Sequence, residues 1–305
     1  MYYIKSISLI VLFYFTALSG QTAKKTVWTK ENFSGLKFRS IGPAFMSGRI
    51  SDIAIHPDNE SVWYVTVGSG NVWKTVNAGV TWTPICDDHP SYSIGCVTLD
   101  PTNPNTVWIG TGENLGGRHF GYGDGVYKSE DGGDTWAIKQ DGNIVDFRLH
   151  TNYDNNSIIY AVGYNNNESK FYRSEDKGGT FSEISSIPTD SNRIILETTP
   201  AAPDKVYVLT AYDNGDGTYE GRNSFQGVYI SNDAGLNFFK TAESDDIFGS
   251  GQSWYDMALT VSDTDPNIVF VGVLDIWRST DRGDNFTKIN SWSQRTNSFL
   301  SLINI

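Results

Sequence analysis

The sequence predicts an all-β fold, a β-propeller of four-stranded antiparallel blades, on three observations. First, an eight-residue pattern, clearest as Ser129-Glu-Asp-Gly-Gly-Asp-Thr-Trp136, occurs five times. Aligned on its third position, the copies are Thr75 to Trp82 (Asn77), Ser129 to Trp136 (Asp131), Ser174 to Phe181 (Asp176), Ser231 to Phe238 (Asp233) and Ser279 to Phe286 (Asp281), spaced by subtraction 54, 45, 57 and 48 residues. Second, a short aromatic and β-branched run of strand character precedes each copy: Val72-Trp73, Val126-Tyr127, Phe171-Tyr172, Val228-Tyr229 and Ile276-Trp277. Third, 30 Gly and 13% aromatic residues in 305 suit many short strands joined by tight turns. A period of about 40 to 50 residues with several strands inside it is that of radially repeated four-stranded sheets.

Taken in order, residues 1–20 read as a signal peptide: Lys5, the apolar run Ile7 to Phe15, then small residues around Ala17, Ser19 and Gly20. The run is too short to span a membrane, so the protein is expected to be secreted or extracytoplasmic, in the periplasm or at the cell surface. A polar lead-in follows at 21–35, and the repeats occupy 36–305. Each repeat reads as an inner strand, a Pro/Asn/Asp turn, a second strand, a variable loop, a third strand, the eight-residue clip and an outer strand. The turns fall at His56 to Asn59, Asp100 to Asn105, Asn152 to Asn156, Pro200 to Asp204 and Asp263 to Asn267. The strands after them are Val62 to Val67, Val107 to Gly110, Ile158 to Val162, Val206 to Thr210 and Ile268 to Val273. Ser298 to Leu302 reads as the start of a sixth blade. The visible repeats are therefore expected to be part of an incomplete ring of six to eight blades, with the C-terminus truncated. The alternatives are closure through Leu36 to Ile41 and pairing with another chain.

Each clip has a physical reading. The hydroxyl and the Asp or Asn bond main-chain amides of the turn, Gly79, Gly133, Gly179, Gly235 and Gly283 supply a positive φ, and the closing Trp82, Trp136, Phe181, Phe238 or Phe286 points back into the blade. Burying such a ring is worth about 2–3 kcal/mol. Asn77, Asp131, Asp176, Asp233 and Asp281 are thus structural.

This Ser/Thr-x-Asp-x-Gly-x-Thr-Trp pattern resembles the Asp-box, or BNR, repeat of sialidases, family 74 xyloglucanase-type glycoside hydrolases, the photosystem II assembly propeller and the Vps10 domain of sortilins. The opening, with Phe38 to Pro43, Met46 to Ile50, Trp108 to Glu113 and Gly123 to Tyr127, is similar to that of bacterial Vps10/sortilin-like and glycosyl hydrolase-like BNR proteins. The resemblance implies a propeller whose boxes lie away from the site.

A net charge of −12 without a basic cluster argues against nucleic acid and anionic lipid as partners. Cys86 and Cys96 would meet oxidising conditions after export. In the repeat register they fall on an outer strand and the next inner strand, which favours two separate thiols over a disulfide. No cofactor or metal pattern is present: Asp213-Asn-Gly-Asp-Gly217 lacks calcium-loop spacing, and Asp87-Asp88-His89 reads as a solvated turn.

Strand alternation puts the second-to-third-strand loops and the blade connections on one face, opposite the clips. The most distinctive loop there is Glu113 to Tyr122. Glu113, Asn114, Arg118, His119 and Tyr122 are the candidate ligand-binding residues for a glycan, peptide or protein; the competing reading is a loop closed on itself by a Glu113–Arg118 pair. Trp254-Tyr255-Asp256 either packs at a blade junction or stacks on a sugar.

A glycosidase needs two carboxyl groups about 5–10 Å apart. The resemblance to family 74 implies one acid just after the second strand of the first blade, where this chain has Gly68 and Ser69, and a second acid from another propeller. Glu113 and Asp124 remain as catalytic candidates. A sialidase-like arginine triad is not evident among Arg39, Arg49, Arg118, Arg148, Arg173, Arg193 and Arg222. The sequence therefore favours an exported non-catalytic binding propeller, with a glycoside hydrolase-like protein acting on polysaccharide as the alternative and an envelope assembly scaffold as a third reading.

Overall fold

A computed structural model describes residues 29, 48–113, 121–151, 157–165, 168–219 and 221–291. All but Thr29 belong to one compact unit, Ser47–Ile305. Among the described residues the chain forms five four-stranded antiparallel sheets, each with its strands side by side in chain order. The first contains β1 (Ile50–Ile55), β2 (Trp63–Val67), β3 (Asn71–Thr75) and β4 (Thr83–Pro84), and the second β5 (Ile94–Asp100), β6 (Asn103–Thr111), β7 (Gly125–Ser129) and β8 (Ala137–Asp141). The third is β9 (Asn143–Leu149), β10 (Ile159–Asn165), β11 (Glu168–Ser174) and β12 (Ser182–Glu183). The fourth is β13 (Arg193–Thr198), β14 (Val206–Tyr212), β15 (Ser224–Ser231) and β16 (Phe239–Lys240); the fifth is β17 (Ala258–Val261), β18 (Val269–Gly272), β19 (Ile276–Ser279) and β20 (Thr287–Asn290). These are the blades of a β-propeller.

One register runs through all five. The residue that ends the third strand and opens the clip, Thr75, Ser129, Ser174, Ser231 or Ser279, lies opposite Trp63, Val107, Ile159, Val206 or Val269. Those residues in turn face Ile55, Leu99, Leu149, Thr198 or Val261 on the first strand. Side chains alternate across each strand, so a common register gives every sheet the same forward and backward faces. The first strands of successive sheets are neighbours, β1 to β5 to β9 to β13 to β17. The core consequently lies between blades: Tyr64, Val72 and Cys86 of the first pack with Val97, Ile109 and Tyr127 of the second.

The clips share one hydrogen-bond scheme. Ser129 Oγ donates to Asp131 Oδ1 at 2.7 Å and accepts the amide of Gly133 at 2.8 Å, while Asp131 takes the amide of Thr135 (2.8 Å) and its hydroxyl (2.6 Å). Asp176, Asp233 and Asp281 repeat these contacts with Thr180, Asn237 and Asn285. Asn77 accepts from Thr81 N at 2.8 Å and donates its amide to Thr81 Oγ1. The turn needs two successive residues at positive φ: Ala78, Gly132, Lys177, Ala234 and Arg282 at 52–72°, then Gly79, Gly133, Gly178, Gly235 and Gly283 at 74–98°. The sequence expectation of Gly179 at this place is corrected by one residue, because counting from Ser174, as the hydroxyl contact does, makes Gly178 the fifth position.

A second correction concerns two of the closing aromatic rings, Trp136 and Phe238, which reach across to the preceding blade. Trp136 Nε1 donates to Ile85 O of the first blade at 3.1 Å, and Phe238 meets Phe171 of the third blade edge to face at 4.7 Å. Trp82, in the first described blade, instead tilts against Trp63 at 6.3 Å. The turn expected over Asp100 to Asn105 is shorter, because Asp100 Oδ1 accepts from Thr102 N, Thr102 Oγ1 and Asn103 N and pulls β6 back to Asn103. The Asn152 to Asn156 turn, the leader, the lead-in apart from Thr29, and Ser298 to Leu302 lie outside the described residues. Cys86 and Cys96 are free and buried; burial pushes the Cys86 thiol up to about 12 and that of Cys96 well above its usual range. No described helix is long and apolar enough to cross a membrane.

Candidate functional site

The antiparallel order fixes the two loop faces. On the face opposite the clips, the connection between the first two blades (residues 85–93) meets the long β6–β7 loop. The neck of that loop is built from Glu113, which is only 6% exposed. Glu113 Oε2 accepts the amide of Gly121 at 3.0 Å, tying the loop's two ends together, and the carboxylate forms an ion pair with Arg49 ahead of β1. Among the described residues the charged partner of Glu113 is therefore Arg49 of the first blade; Asn114, Arg118 and His119 lie outside the described residues. Gly68 makes room for the carboxylate, since a β-carbon there would lie 2.5 Å from Glu113 Oε1. Gly68 is also held by its neighbours: its amide donates to Arg49 O and its carbonyl accepts from Ser93 Oγ at 2.6 Å.

Asp124 is likewise engaged. Its Oδ1 accepts from Thr111 Oγ1 and its Oδ2 from Tyr127 OH, both at 2.9 Å. Burial first, and then this contact with Asp124, push the Tyr127 phenol above its ordinary range. The His89 ring stands edge-on to Tyr127 at 4.0 Å, and burial lowers its basicity despite Asp124 nearby. Asp87 and Asp88 of that segment are exposed. Tyr122 is held only by its main chain, whose carbonyl accepts from Ser91 Oγ at 2.6 Å, and its ring is 76% exposed. The structure thus separates the two described ligand candidates: Glu113 is a buried neck residue and Tyr122 an outward ring.

On the same face the fourth and fifth blades carry a second aromatic group that composition alone did not assemble. Tyr219, from the β14–β15 loop, accepts from Trp254 Nε1 at 3.2 Å, and Trp254 and Tyr255 have ring centroids 5.5 Å apart. Tyr219 and Tyr255 are about half exposed. The one-turn helix Ser253–Asp256 that presents Trp254 and Tyr255 is fixed from below. Ser253 Oγ donates to Asn223 O at 2.6 Å, and the buried Arg193 guanidinium donates to Trp254 O at 2.6 Å. Burial brings Arg193 down to about 10. Nothing in the sequence marks Arg193, whose partners are main-chain carbonyls some 61 residues away.

The Asp213 to Gly217 segment satisfies itself. Asp213, Asn214 and Asp216 accept from the amides of Gly215, Asp216 and Thr218, each two residues on. Among the described residues no group of three or more His, Cys, Asp or Glu is placed to hold a metal ion. A cavity of about 360 Å³ sits on the clip side of the third blade, bounded by Arg173, Glu175, Asp176 and Leu236 among others. Its charged groups are already bonded: Arg173 Nε to Ala234 O at 2.5 Å, and Asp176 to Thr180 and Ser174.

No family model matches the chain. It is similar to a xyloglucanase of Hypocrea jecorina, 26% identical over 226 residues, which cover 62% of this chain and 25% of that protein. It is also similar to the xyloglucanase Xgh74A of Acetivibrio thermocellus, 22% identical over an alignment 340 positions long, covering 82% of this chain and 39% of that one. The chain therefore spans well under half the length of these relatives. Among solved structures, an ancestral GH74 enzyme superposes with TM-score 0.59 at 16% identity over 79% of this chain and 31% of the other. YCF48 bound to D1 peptide superposes with TM-score 0.52 at 12% identity over 82% and 69%. At these identities the superpositions establish the propeller fold.

Proposed function

We propose that this chain is an exported Asp-box propeller, similar to xyloglucanases and to the Vps10 type, that binds a β-glucan such as xyloglucan through its loop face without cleaving it. The observation that carries the reading is the contrast between rings and acids on that face. Tyr122, Tyr219 and Tyr255 present exposed faces of the kind that cover the apolar side of a sugar ring. The two candidate acids are committed elsewhere: Glu113 to Arg49 and Gly121, Asp124 to Thr111 and Tyr127. Hydrolysis requires one carboxyl to hold a proton for the leaving oxygen and another to face the anomeric carbon, whereas each oxygen of these two residues already has a partner within the protein. The leader expected from the sequence at 1–20 would suit a polysaccharide met outside the cytoplasm.

The test is titration calorimetry with xyloglucan and mixed-linkage glucan oligosaccharides, run beside a reducing-sugar assay. The expected result is binding without release of new reducing ends, with affinity lost at least tenfold in Tyr255→Ala and Tyr122→Ala. No binding to any glucan would overturn the reading. A hydrolytic role is the second reading, favoured by the xyloglucanase similarity over 82% of the chain. Turnover abolished by Glu113→Gln or Asp124→Asn would establish it in place of simple binding.

A further inference from the structure

We propose that Asn214 is a self-modifying site: in the folded protein the β14–β15 loop converts this asparagine to aspartate and isoaspartate through a cyclic imide, with water as co-reactant. Asn214-Gly215 is the one Asn-Gly pair in the chain. The reaction needs the main-chain nitrogen of the following residue to reach the side-chain carbonyl carbon, and glycine, without a β-carbon, hinders that approach least. Gly215 stands at φ +77° with nothing within 4 Å of the place a β-carbon would take, and both residues are exposed. The folded loop therefore has room for the imide ring.

The neighbours supply the rest of the chemistry. Asp213 Oδ1 accepts the amide of Gly215 at 2.9 Å, so a carboxylate sits on the proton that the attacking nitrogen must lose. Asn214 Oδ1 accepts the amide of Asp216 at 3.0 Å, which polarises the carbonyl under attack and steadies the charge that grows on its oxygen. Asn214 Nδ2 donates to Ser224 Oγ at 3.1 Å, which fixes the rotation of the side-chain amide. The bond from Gly215 N to Asn214 Cγ forms and the bond from Cγ to Nδ2 breaks. The Gly215 proton passes to Asp213 and from there to the departing nitrogen, which leaves as ammonia. Water then opens the imide at one carbonyl or the other, giving aspartate or isoaspartate. The change falls beside the aromatic group of the fourth and fifth blades. Asn214 N donates to Gly221 O at 2.9 Å, closing the segment that carries Tyr219, and Tyr219 accepts from Trp254 Nε1. A new charge or an extra main-chain carbon at 214 displaces that segment, so conversion weakens binding there; this consequence alone rests on the glucan reading.

The test is incubation of the full chain at neutral pH and physiological temperature, followed by tryptic digestion and mass spectrometry. The peptide Val206 to Arg222 holds no other Asn and no Gln, so the mass gain of an amide turned into an acid reports on Asn214 alone. A urea-unfolded sample run in parallel gives the rate that the Asn-Gly pair supports by itself. The expected result is conversion in the folded chain at least as fast as in the unfolded one. Asp213→Ala should slow the folded chain at least about tenfold, as loss of a positioned base does, and leave the unfolded rate unchanged. Gly215→Ala should suppress conversion in both. A folded chain slower than the unfolded one, or an Asp213→Ala variant as fast as wild type when folded, would overturn the assignment. Fresh and converted samples are then compared by glucan calorimetry. Unaltered affinity after conversion would overturn the effect on the aromatic group, whereas a fresh sample that binds no glucan would overturn the glucan reading and leave the mass result standing.

Discussion

The carboxylate of Glu113, from the second blade, lies directly over the α-carbon of Gly68 in the first, so close that a β-carbon on Gly68 would stand 2.5 Å from Oε1. Arg49 neutralises the carboxylate and Gly121 bonds it, which makes this contact the hinge between two blades and the neck of the β6–β7 loop. Gly68→Ala is expected to cost about 1–3 kcal/mol by forcing the acid aside. Arg49→Met is expected to cost about 2 kcal/mol, below the range for a fully buried pair because the arginine side chain is 38% exposed. Chemical denaturation checks both, and an unchanged midpoint in both would remove Glu113 from its role as the clasp.

The clips predict a contrast between two glycines of nearly equal φ. Gly178, at +74°, lies against Trp108 of the second blade, and a β-carbon there would meet its ring at 2.1 Å; Gly215, at +77°, has nothing within 4 Å. Gly215→Ala therefore suffers only the conformational penalty, about 1 kcal/mol. Gly178→Ala adds displacement of a buried indole and should cost at least about 2 kcal/mol more. Thermal unfolding of the two variants separates the effects, and equal losses would show that the blade junction yields freely at Trp108.

The same clips show how much was legible in the sequence. Five repeated sets of a hydroxyl, an Asp or Asn and an aromatic ring were enough to give the strands, their order and the clip contacts, because the clip contacts join residues within about eight positions and the strands pair with their chain neighbours in the same repeat. Legibility failed where the partner is distant. Phe238 could not reveal that its ring seats on Phe171, nor Glu113 that it pairs with Arg49 across 64 positions (113 minus 49). Trp254-Tyr255 showed an aromatic pair but not that Tyr219 completes it through a hydrogen bond from another loop.

Acid should act on the clips. The amide and hydroxyl of Thr180, with Ser174, hold Asp176 at about 2, below its ordinary 3.8. Burial pushes Asp233 up, but its bonds from Asn237 and Ser231 outweigh that and bring it to about 2, and Asp131 and Asp281 are lowered too. A carboxyl lowered by folding stabilises the fold fully above its unfolded value and loses that contribution as pH falls through the folded one. Stability should thus decline between about pH 4 and pH 2. Asp52, raised chiefly by burial, opposes this by favouring the folded state when protonated. Asp176→Asn should flatten the decline in that window, measured as denaturation midpoints at pH 3 against pH 7. An identical pH slope in wild type and variant would contradict the role given to the clip.

Near the inner strands, Asp146 of the third blade accepts the amide of Leu196 in the fourth at 2.9 Å through Oδ2, and takes Phe147 N and Arg148 Nη1 through Oδ1. Asp52 makes the matching bridge from the first blade to Val97 N of the second at 3.0 Å. The same register position holds Cys96, Ile195 and Ala258 in the other blades, so a carboxylate lock is not required at every junction. What distinguishes Asp146 is Arg148, whose cationic state Asp146 and Glu197 favour against the cost of burial. Asp146→Ala would strand the Leu196 amide and leave Arg148, whose side chain is 34% exposed, with Glu197 as its remaining acid, with an expected loss of about 2–3 kcal/mol. Asp52→Ala, which strands little more than the Val97 amide, should lose about 1–2 kcal/mol. Asp146→Asn should recover little, because an amide nitrogen would then face a donor on one side or the other. Equal midpoints for Asp146→Ala and Asp52→Ala in guanidinium titrations would mean that the arginine contributes nothing to the lock and that both acids serve only the amide across the junction.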